Sequence, residues 1–342
     1  MRSKIKMNWV MFLLTAVAFS SVLSGSAFAK AEFELSLATK MGPQSPEYKA
    51  FENFAAKVEN KTNGAVRISM FGSEVLGNDE TVFKSMRMGA VDIVADSPSL
   101  GARTLIPKID YITPPFVFTD FDHFQRFLKG DYMRLLFEEL SIKAGIVALN
   151  TEWTWRRGPY RVLLTKKPVM SPKDVEGVKL RFYASELELA VWEAIGMNPI
   201  IVAWSETYLA LQQGIVEAVT SPVTLIHDSK FVEVCPYITV TDEYPQTIAF
   251  YINSNKFNSL PKDYQEKIIE ACNEAGTEFT NQLDAIAEEI VERSEADFGA
   301  QFATPDMASF RAKAAEFYQS LKTKNTMGAG FWEIMEAIEK ER

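Results

Sequence analysis

The stretch "FELSLATKMGPQSPEYKAFENFAAKVENKTNGAVRISMF", residues 33–71, decides the fold class. Its first seven residues alternate apolar and polar side chains, which is typical of a strand with one buried face. Apolar residues then recur at helical spacing from Tyr48 to Val58, and Gly64 ends this pattern. "AVRISMF" predicts a second strand. A strand, a helix and a strand in this order indicate an α/β unit with a crossover connection.

The same order continues along the chain. "DETVFKSMRMG" predicts a helix and "AVDIVAD" a strand, and a second cycle begins near residue 145. There, strand-like "GIVALN", "YRVLLT", "VKLRFY", "NPIIVA" and "VEAVTSP" alternate with helix-like "ASELELAVWEAIG" and "WSETYLALQQG". The two cycles have no Gly/Ser-rich linker between them. They predict two α/β lobes that share strands and leave a cleft between them.

Residues 262–299 keep helical periodicity for more than 30 residues, which is long for a globular helix. Two helices with a break would explain the pattern, and so would one long helix that braces both lobes. We expect a long C-terminal helix that bridges the lobes.

The N-terminus predicts export. Arg2, Lys4 and Lys6 precede an apolar run, and Ala27-Phe28-Ala29 provides an A-x-A cleavage site. We therefore expect a signal peptide over residues 1–29 and a mature chain that begins near Lys30. An uncleaved membrane anchor is the alternative. No later apolar run approaches the roughly 20 residues of a membrane span.

Composition excludes several classes of partner and of fold. The formal charge is −9, and loss of the first 29 residues leaves 33 basic and 45 acidic side chains, a charge of −12. A surface this acidic argues against nucleic acid or anionic lipid as the main partner. The two cysteines, Cys235 and Cys272, cannot make a disulfide-dense fold, and a bond between them stays open.

The signatures of common enzymes are missing from the mature sequence. It has two histidines, His123 and His227, and no H-E-x-x-H, C-x-x-C, P-loop, G-x-S-x-G or G-x-G-x-x-G pattern. We therefore predict no catalytic residues, no metal site and no cofactor. A binding protein is favoured over an enzyme.

"GVKLRFYAS", residues 177–185, contains the residue that points to a ligand. Arg181 lies inside an apolar strand pattern, and a guanidinium is costly to bury without an anionic partner. The partner is either an acidic residue of the chain or a bound anion. A planar fork of donors suits a two-oxygen anion.

Several segments resemble the solute-binding proteins of TRAP transporters, the DctP-type family. They are "VENKTNGAVRISMFGSEVLGNDE", "MRMGAVDIV", "PPFVFTDF", "KKPVMSPKDVEGVKLRFYAS" and "WEAIGMNPIIVAWSETYLALQQGIVEA". The resemblance covers residues 33 to 320. It implies a periplasmic binding protein-like fold, with lobe I in residues 30–157 and 247–286. Lobe II would comprise residues 158–246, with residues 287–342 as C-terminal helices packed on it.

The resemblance also implies site residues. Arg181 would pair with the substrate carboxylate, and Arg161 would assist it, although Arg156 and Arg157 lie close by in sequence. Trp204 matches an aromatic position that packs against ligand, and Lys40 lies where the first lobe lines the cleft.

One segment departs from the family pattern. Ser221 takes the position of a ligand-contacting Asn, so the specificity of acidic-sugar or dicarboxylate binders is in doubt. Tyr183 and Trp155 belong to a group of aromatic residues near the expected cleft, with Trp153, Tyr160 and Phe182. If two of this group face the cleft, a compact or partly apolar anion is expected. It would be a monocarboxylate, a 2-oxo acid or a small sulfonate.

The resulting prediction is a monomeric periplasmic protein that closes on a small organic anion and delivers it to the membrane subunits of a TRAP permease. A ligand sensor that presents the closed form to a receptor is the alternative. A periplasmic enzyme that uses a carboxylate pair or a metal is a third hypothesis.

Overall fold

The computed structural model describes residues 31–99, 102–324, 327 and 330–342. The predicted signal peptide, residues 1–29, lies outside this part of the chain. Within the described ranges, no helix combines the length and apolar character needed to cross a membrane.

Strands and helices alternate through most of the described chain. The strands are β1 Phe33–Ala38, β2 Val66–Phe71, β3 Ile93–Asp96, β4 Ile146–Ala148, β5 Arg161–Thr165, β6 Lys179–Phe182, β7 Asn198–Ile201, β8 Ala218–Pro222, β9 Tyr237–Val240, β10 Ala249–Asn253 and β11 Gln301–Ala303. The helices are α1 Pro46–Lys61, α2 Asp79–Arg87, α3 Phe121–Lys129, α4 Asp131–Ala144, α5 Glu186–Ile195, α6 Thr207–Gln212, α7 Phe231–Val234, α8 Ser254–Ser259, α9 Lys262–Thr280, α10 Leu283–Phe298, α11 Ala308–Lys324 and α12 Phe331–Lys340.

The first sheet forms lobe I and has the strand order β2-β1-β3-β10-β4. β1 runs parallel to β2 and β3, whereas β10 is antiparallel to β3 and β4. β10 thus returns to lobe I after the chain has built five of the six strands of the second sheet, and β11 joins that sheet later.

The second sheet forms lobe II and has the order β11-β9-β5-β8-β6-β7. β8 lies between β5 and β6, and its register places Pro222 opposite Arg161 and Val219 opposite Arg181. Two arginines predicted at the cleft therefore lie on strands that flank the same central strand. The expected α/β fold with two lobes is confirmed.

The first helix shows how the sequence produces this packing. The Ser45 hydroxyl accepts a hydrogen bond from the Tyr48 amide at 3.1 Å, and Pro46 occupies the first helical turn. Phe51 and Phe54 pack edge-to-face on Phe250 of β10, each with 5.2 Å between ring centroids. Complete burial of each ring contributes about 1.5–3 kcal/mol.

The predicted long C-terminal helix is formed by two consecutive helices, α9 and α10, with a break at Asn281 and Gln282. α9 packs on α1 of lobe I, and α10 packs on α7 and on residues 223–225 of lobe II. Together the two helices bridge both lobes.

The last two helices pack in different places. α11 packs on α5 of lobe II, but α12 packs on α3 and on Pro107–Tyr111. The expectation that all of residues 287–342 pack on lobe II is therefore wrong for α12. Two contacts hold α12 on lobe I. Phe331 packs edge-to-face on Tyr111, and the Ile338 carbonyl accepts a hydrogen bond from His123 Nε2 at 2.8 Å.

The two cysteines are free and buried in separate cores. Cys272 belongs to the core of lobe I under α1, and Cys235 to the core of lobe II under α10. The open question of a disulfide between them is answered by this separation.

Candidate functional site

A small cavity lies between the lobes and has a volume of about 30 Å³. A single water molecule needs roughly 10–15 Å³ of comparable space, so the two walls lie close together. The cavity is lined by Lys40, Ser97, Arg157, Arg161, Arg181, Phe182, Tyr183, Trp204, Thr220, Pro222, Leu225 and Gln246.

Arg181 projects into this cavity from β6, while its neighbours Leu180 and Phe182 belong to the hydrophobic core. The residue is 6% exposed. Its Nε donates a hydrogen bond to the Val202 carbonyl at 2.9 Å, and its guanidinium carbon lies 5.3 Å from the centre of the Trp204 ring. The Val202 carbonyl and the Trp204 ring therefore hold the guanidinium at the cavity wall.

No carboxylate oxygen in the described part of the chain lies within 4.0 Å of the Arg181 guanidinium nitrogens. Burial lowers the pKa of Arg181 to about 10, although the negative charges of Asp79 and Glu74 act in the opposite direction. The cost of burying this cation is thus only partly offset by the protein itself. A bound anion would offset the remainder.

Arg161 lines the same cavity but has its own partners. Its Nε donates to Glu243 at 2.8 Å, its Nη2 donates to the Thr220 hydroxyl at 2.7 Å, and its Nη1 donates to Gln246. The guanidinium also lies 4.5 Å from the Tyr244 ring centre. Burial alone would lower the pKa of Arg161, but the charge of Glu243 raises it.

Arg157 and Lys40 converge on one buried carboxylate, that of Asp96. Arg157 Nη1 lies 2.8 Å and Lys40 Nζ 3.0 Å from Asp96 Oδ1, and Arg157 Nη2 lies 2.9 Å from Glu47. Burial alone would raise the pKa of Asp96, but these two cations hold it below its usual value. Lys40 does line the cleft, and it is already paired there.

Arg156, the other arginine considered, is not among the cavity-lining residues. Its Nη2 donates to the Pro159 carbonyl, and its guanidinium lies 4.6 Å from the Phe121 ring centre.

Tyr183 lines the cavity and leads to a buried acid behind it. Its hydroxyl donates to Glu188 Oε1, which also accepts from the Thr113 hydroxyl at 3.1 Å. Burial raises the pKa of Glu188 to about 7. The Tyr183 ring is therefore fixed by an acid that titrates near neutral pH.

Two of the predicted site residues lie elsewhere. Trp155 is completely buried in the core of lobe I, where its indole N–H donates to the Cys272 carbonyl at 2.8 Å. Ser221 faces away from the cavity, because side chains alternate along β8 and Thr220 and Pro222 occupy the cavity side. Trp155 and Ser221 are therefore wrong as cleft residues.

Some residues near the cavity were not found by sequence reasoning. The pKa of Asp79 is raised by burial, and its charge acts on Arg181. Arg103 lies 5.6 Å from the Tyr183 ring centre, and its Nη1 is buried without a hydrogen bond. The sequence around Asp79 and around Arg103 does not indicate a site, because these segments reach the cleft only in the folded protein.

A wider groove of about 410 Å³ lies at α1, α9 and α10. Its Arg293 lies 3.7 Å from Asp228 and 3.5 Å from Glu289, and Glu278 accepts from Lys57 at 2.8 Å. These charged side chains are already paired with one another. The narrow cavity at Arg181 is therefore the better candidate for ligand binding.

Two α/β lobes around a closed cleft, with a buried arginine that has no acidic partner within 4.0 Å among the described residues, define a two-lobed binding protein. The match to the family model DctP, bacterial extracellular solute-binding protein, family 7, extends over residues 37–325. The chain belongs to this family of TRAP-type solute-binding proteins, and it is a binding protein rather than an enzyme.

Characterised relatives cover nearly the whole chain. The C4-dicarboxylate-binding periplasmic protein DctP of Rhodobacter capsulatus is 25% identical, over 89% of this chain and 97% of that protein. The sialic acid-binding periplasmic protein SiaP of Vibrio cholerae is 26% identical, over 87% and 91%. The crystal structure of a TRAP periplasmic solute-binding protein from Roseobacter denitrificans with bound L-galactonate has a TM-score of 0.80 at 23% identity, covering 91% of this chain and 99% of that one.

Proposed function

We propose that the protein captures a small organic anion through Arg181 and delivers it to a TRAP permease. One observation carries the proposal. Among the cations that line the cavity, Lys40, Arg157 and Arg161 have carboxylate partners within 4.0 Å, whereas Arg181 has none in the described chain. A single unpaired fork supports a ligand with one acidic head.

The rest of the cavity supports a compact ligand. Tyr183 and Trp204 place aromatic surface beside Arg181, and the free space is small. The named relatives bind C4-dicarboxylates and sialic acid, and the L-galactonate complex adds a sugar acid. An acidic head is common to all of these ligands. We assign this chain a monocarboxylate, a 2-oxo acid or a small sulfonate, because the other cavity cations are already neutralised.

Family membership supports the delivery step. We propose that residues 1–29 direct export, that the mature chain begins near Lys30, and that the monomer docks on membrane permease subunits when closed. Contacts made only in the closed form provide the differential free energy that a ligand needs to shift the lobes.

A thermal-shift screen of the mature protein against organic acids and sulfonates tests the proposal. A ligand at 100 times its dissociation constant stabilises by about 2.7 kcal/mol, which raises the melting temperature measurably. Arg181→Ala should abolish the shift for any acid that stabilises the wild type, and Arg181→Lys should reduce it, because a lysine lacks the planar fork.

Arg67→Ala is the matched control. Arg67 lies on the edge strand of lobe I and pairs with Glu59 at 2.8 Å, far from the cavity residues. This variant should bind like the wild type. Equal binding by Arg181→Ala and the wild type would refute the anchor, and no response of the wild type to any acid would refute the ligand class.

A further inference from the structure

The segment from Val202 to Ser205 contacts both sides of the cleft. The Val202 carbonyl accepts from Arg181 Nε, and the Trp204 ring centre lies 5.3 Å from the Arg181 guanidinium and 5.7 Å from Lys40 Nζ. The next residue, Ser205, is bound by an acid of the opposite lobe. Its amide donates to Glu74 Oε2 at 3.3 Å, and its hydroxyl donates to the same oxygen.

Glu74 reaches across the cleft from an unusual turn between β2 and α2. Ser73 and Glu74 have φ values of 55° and 58°, in the left-handed region that side chains other than glycine seldom adopt. The turn is fixed to the end of β1, since the Ser73 amide donates to the Met41 carbonyl at 3.0 Å and the Glu74 amide to the Thr39 carbonyl at 3.3 Å. Such conformations persist where the surroundings hold them.

We propose that Glu74 is a positioning residue that links lobe I to Ser205 in the closed form and thereby holds Trp204 over Arg181. This inference rests on the proposed function, because it assigns a determinant of affinity to the same cleft. The bonds to Ser205 join the two lobes and form only when the cleft closes. They therefore favour the closed arrangement over the open one, and ligand affinity rises with the closed population.

The first test measures how often the lobes close in the absence of ligand. Cys235 and Cys272 are buried, so spin labels can be attached at Glu52→Cys in lobe I and Lys173→Cys in lobe II, both of which are exposed. Pulsed electron–electron double resonance measures the distance between the two labels. The fraction of molecules with a short distance should be smaller for Glu74→Ala and for Ser205→Ala than for the labelled parent. Circular dichroism verifies that each variant is folded.

The second test measures the affinity of each variant for the acid that the thermal-shift screen identifies. Ser205→Ala should weaken binding roughly tenfold. Glu74→Ala should weaken it less, because it also removes a negative charge that acts on Arg181 and opposes an anionic ligand. The double variant should be little worse than Ser205→Ala alone, because both changes remove the same contact. Glu74→Gln keeps an acceptor oxygen and should recover part of the affinity. Glu80→Ala removes an exposed acid that pairs with Lys84 on α2, and it should match the parent in both tests.

The two hypotheses fail in different ways. An unchanged distance distribution in Glu74→Ala, or strictly additive effects of the two single changes, would overturn the role of Glu74 even if Arg181→Ala abolishes binding. Unchanged affinity in Arg181→Ala would instead refute the proposed function, while the label distances would still report on the contact between the lobes.

Discussion

Arg161 and Arg181 lie on strands that flank β8 and are almost equally buried, at 4% and 6% exposure. Arg161 donates through all three of its nitrogens to Glu243, Thr220 and Gln246, whereas the hydrogen bond of Arg181 goes to a backbone carbonyl. The pKa of Arg161 is raised by its acidic partner, and the pKa of Arg181 is lowered by burial. The two arginines are thus almost equally buried but differ in the partners of their guanidinium groups.

The difference separates a structural cation from one available to a ligand. A buried ion pair is neutral within itself, so removal of one member leaves an uncompensated charge. A buried cation without a partner costs free energy in the empty protein and regains it when an anion binds. Arg161 is held by partners within the protein, and the different surroundings of Arg181 support the proposal that Arg181 binds the ligand.

The largest expected effect is on stability at Arg161. Arg161→Met leaves the fully buried Glu243 without its cation and should lower the free energy of unfolding by about 3–5 kcal/mol. Arg181→Met loses no ion pair and should change it by less than about 1 kcal/mol. Urea denaturation of both variants measures the contrast, and equal losses would erase the distinction between the two arginines.

The next effect concerns pH and the acid near Arg161. Glu188 has its pKa raised by burial from 4.5 to about 7. The unfolded chain ionises at the lower value, so the stability that Glu188 contributes is complete below pH 4.5 and is lost as pH rises through 7. The loss amounts to about 3 kcal/mol. Glu188→Gln should flatten this part of the stability profile measured from pH 5 to 8, and an unchanged slope would contradict the assignment.

The smallest effects distinguish two tryptophans. Trp204→Phe weakens a cation–π contact with Arg181 and should reduce affinity by a factor corresponding to about 0.5–2 kcal/mol, with little change in stability. Trp155→Phe removes the hydrogen bond to Cys272 and should lower stability by about 1–3 kcal/mol without changing affinity. Calorimetric titration and urea denaturation of both variants measure these effects, and the opposite pattern would place Trp155 at the ligand.

Much of the fold could be predicted from local patterns. The spacing of Phe51, Phe54 and Val58 predicts α1, and the capping by Ser45 gives its start. A break was one of the two explanations of the long helical pattern, but its position at Asn281 and Gln282 could not be predicted, because neither residue interrupts that pattern.

The candidate site was predicted less completely. Arg181 stands out because its charge interrupts an apolar strand. Trp155 was misplaced because an aromatic side chain gives the same signal in a core and in a pocket. Ser221 was misplaced because a shift of one residue along a strand exchanges its two faces. Asp79 and Arg103 reach the cleft only through the fold.

The most direct test is a crystal structure of the protein with the acid identified by the screen. We predict that two oxygens of the acidic head lie about 2.7–2.9 Å from the terminal nitrogens of Arg181, with the Arg161–Glu243 pair intact. An acidic head bound instead by Arg161 or Lys40, with Arg181 still bonded only to the Val202 carbonyl, would contradict it.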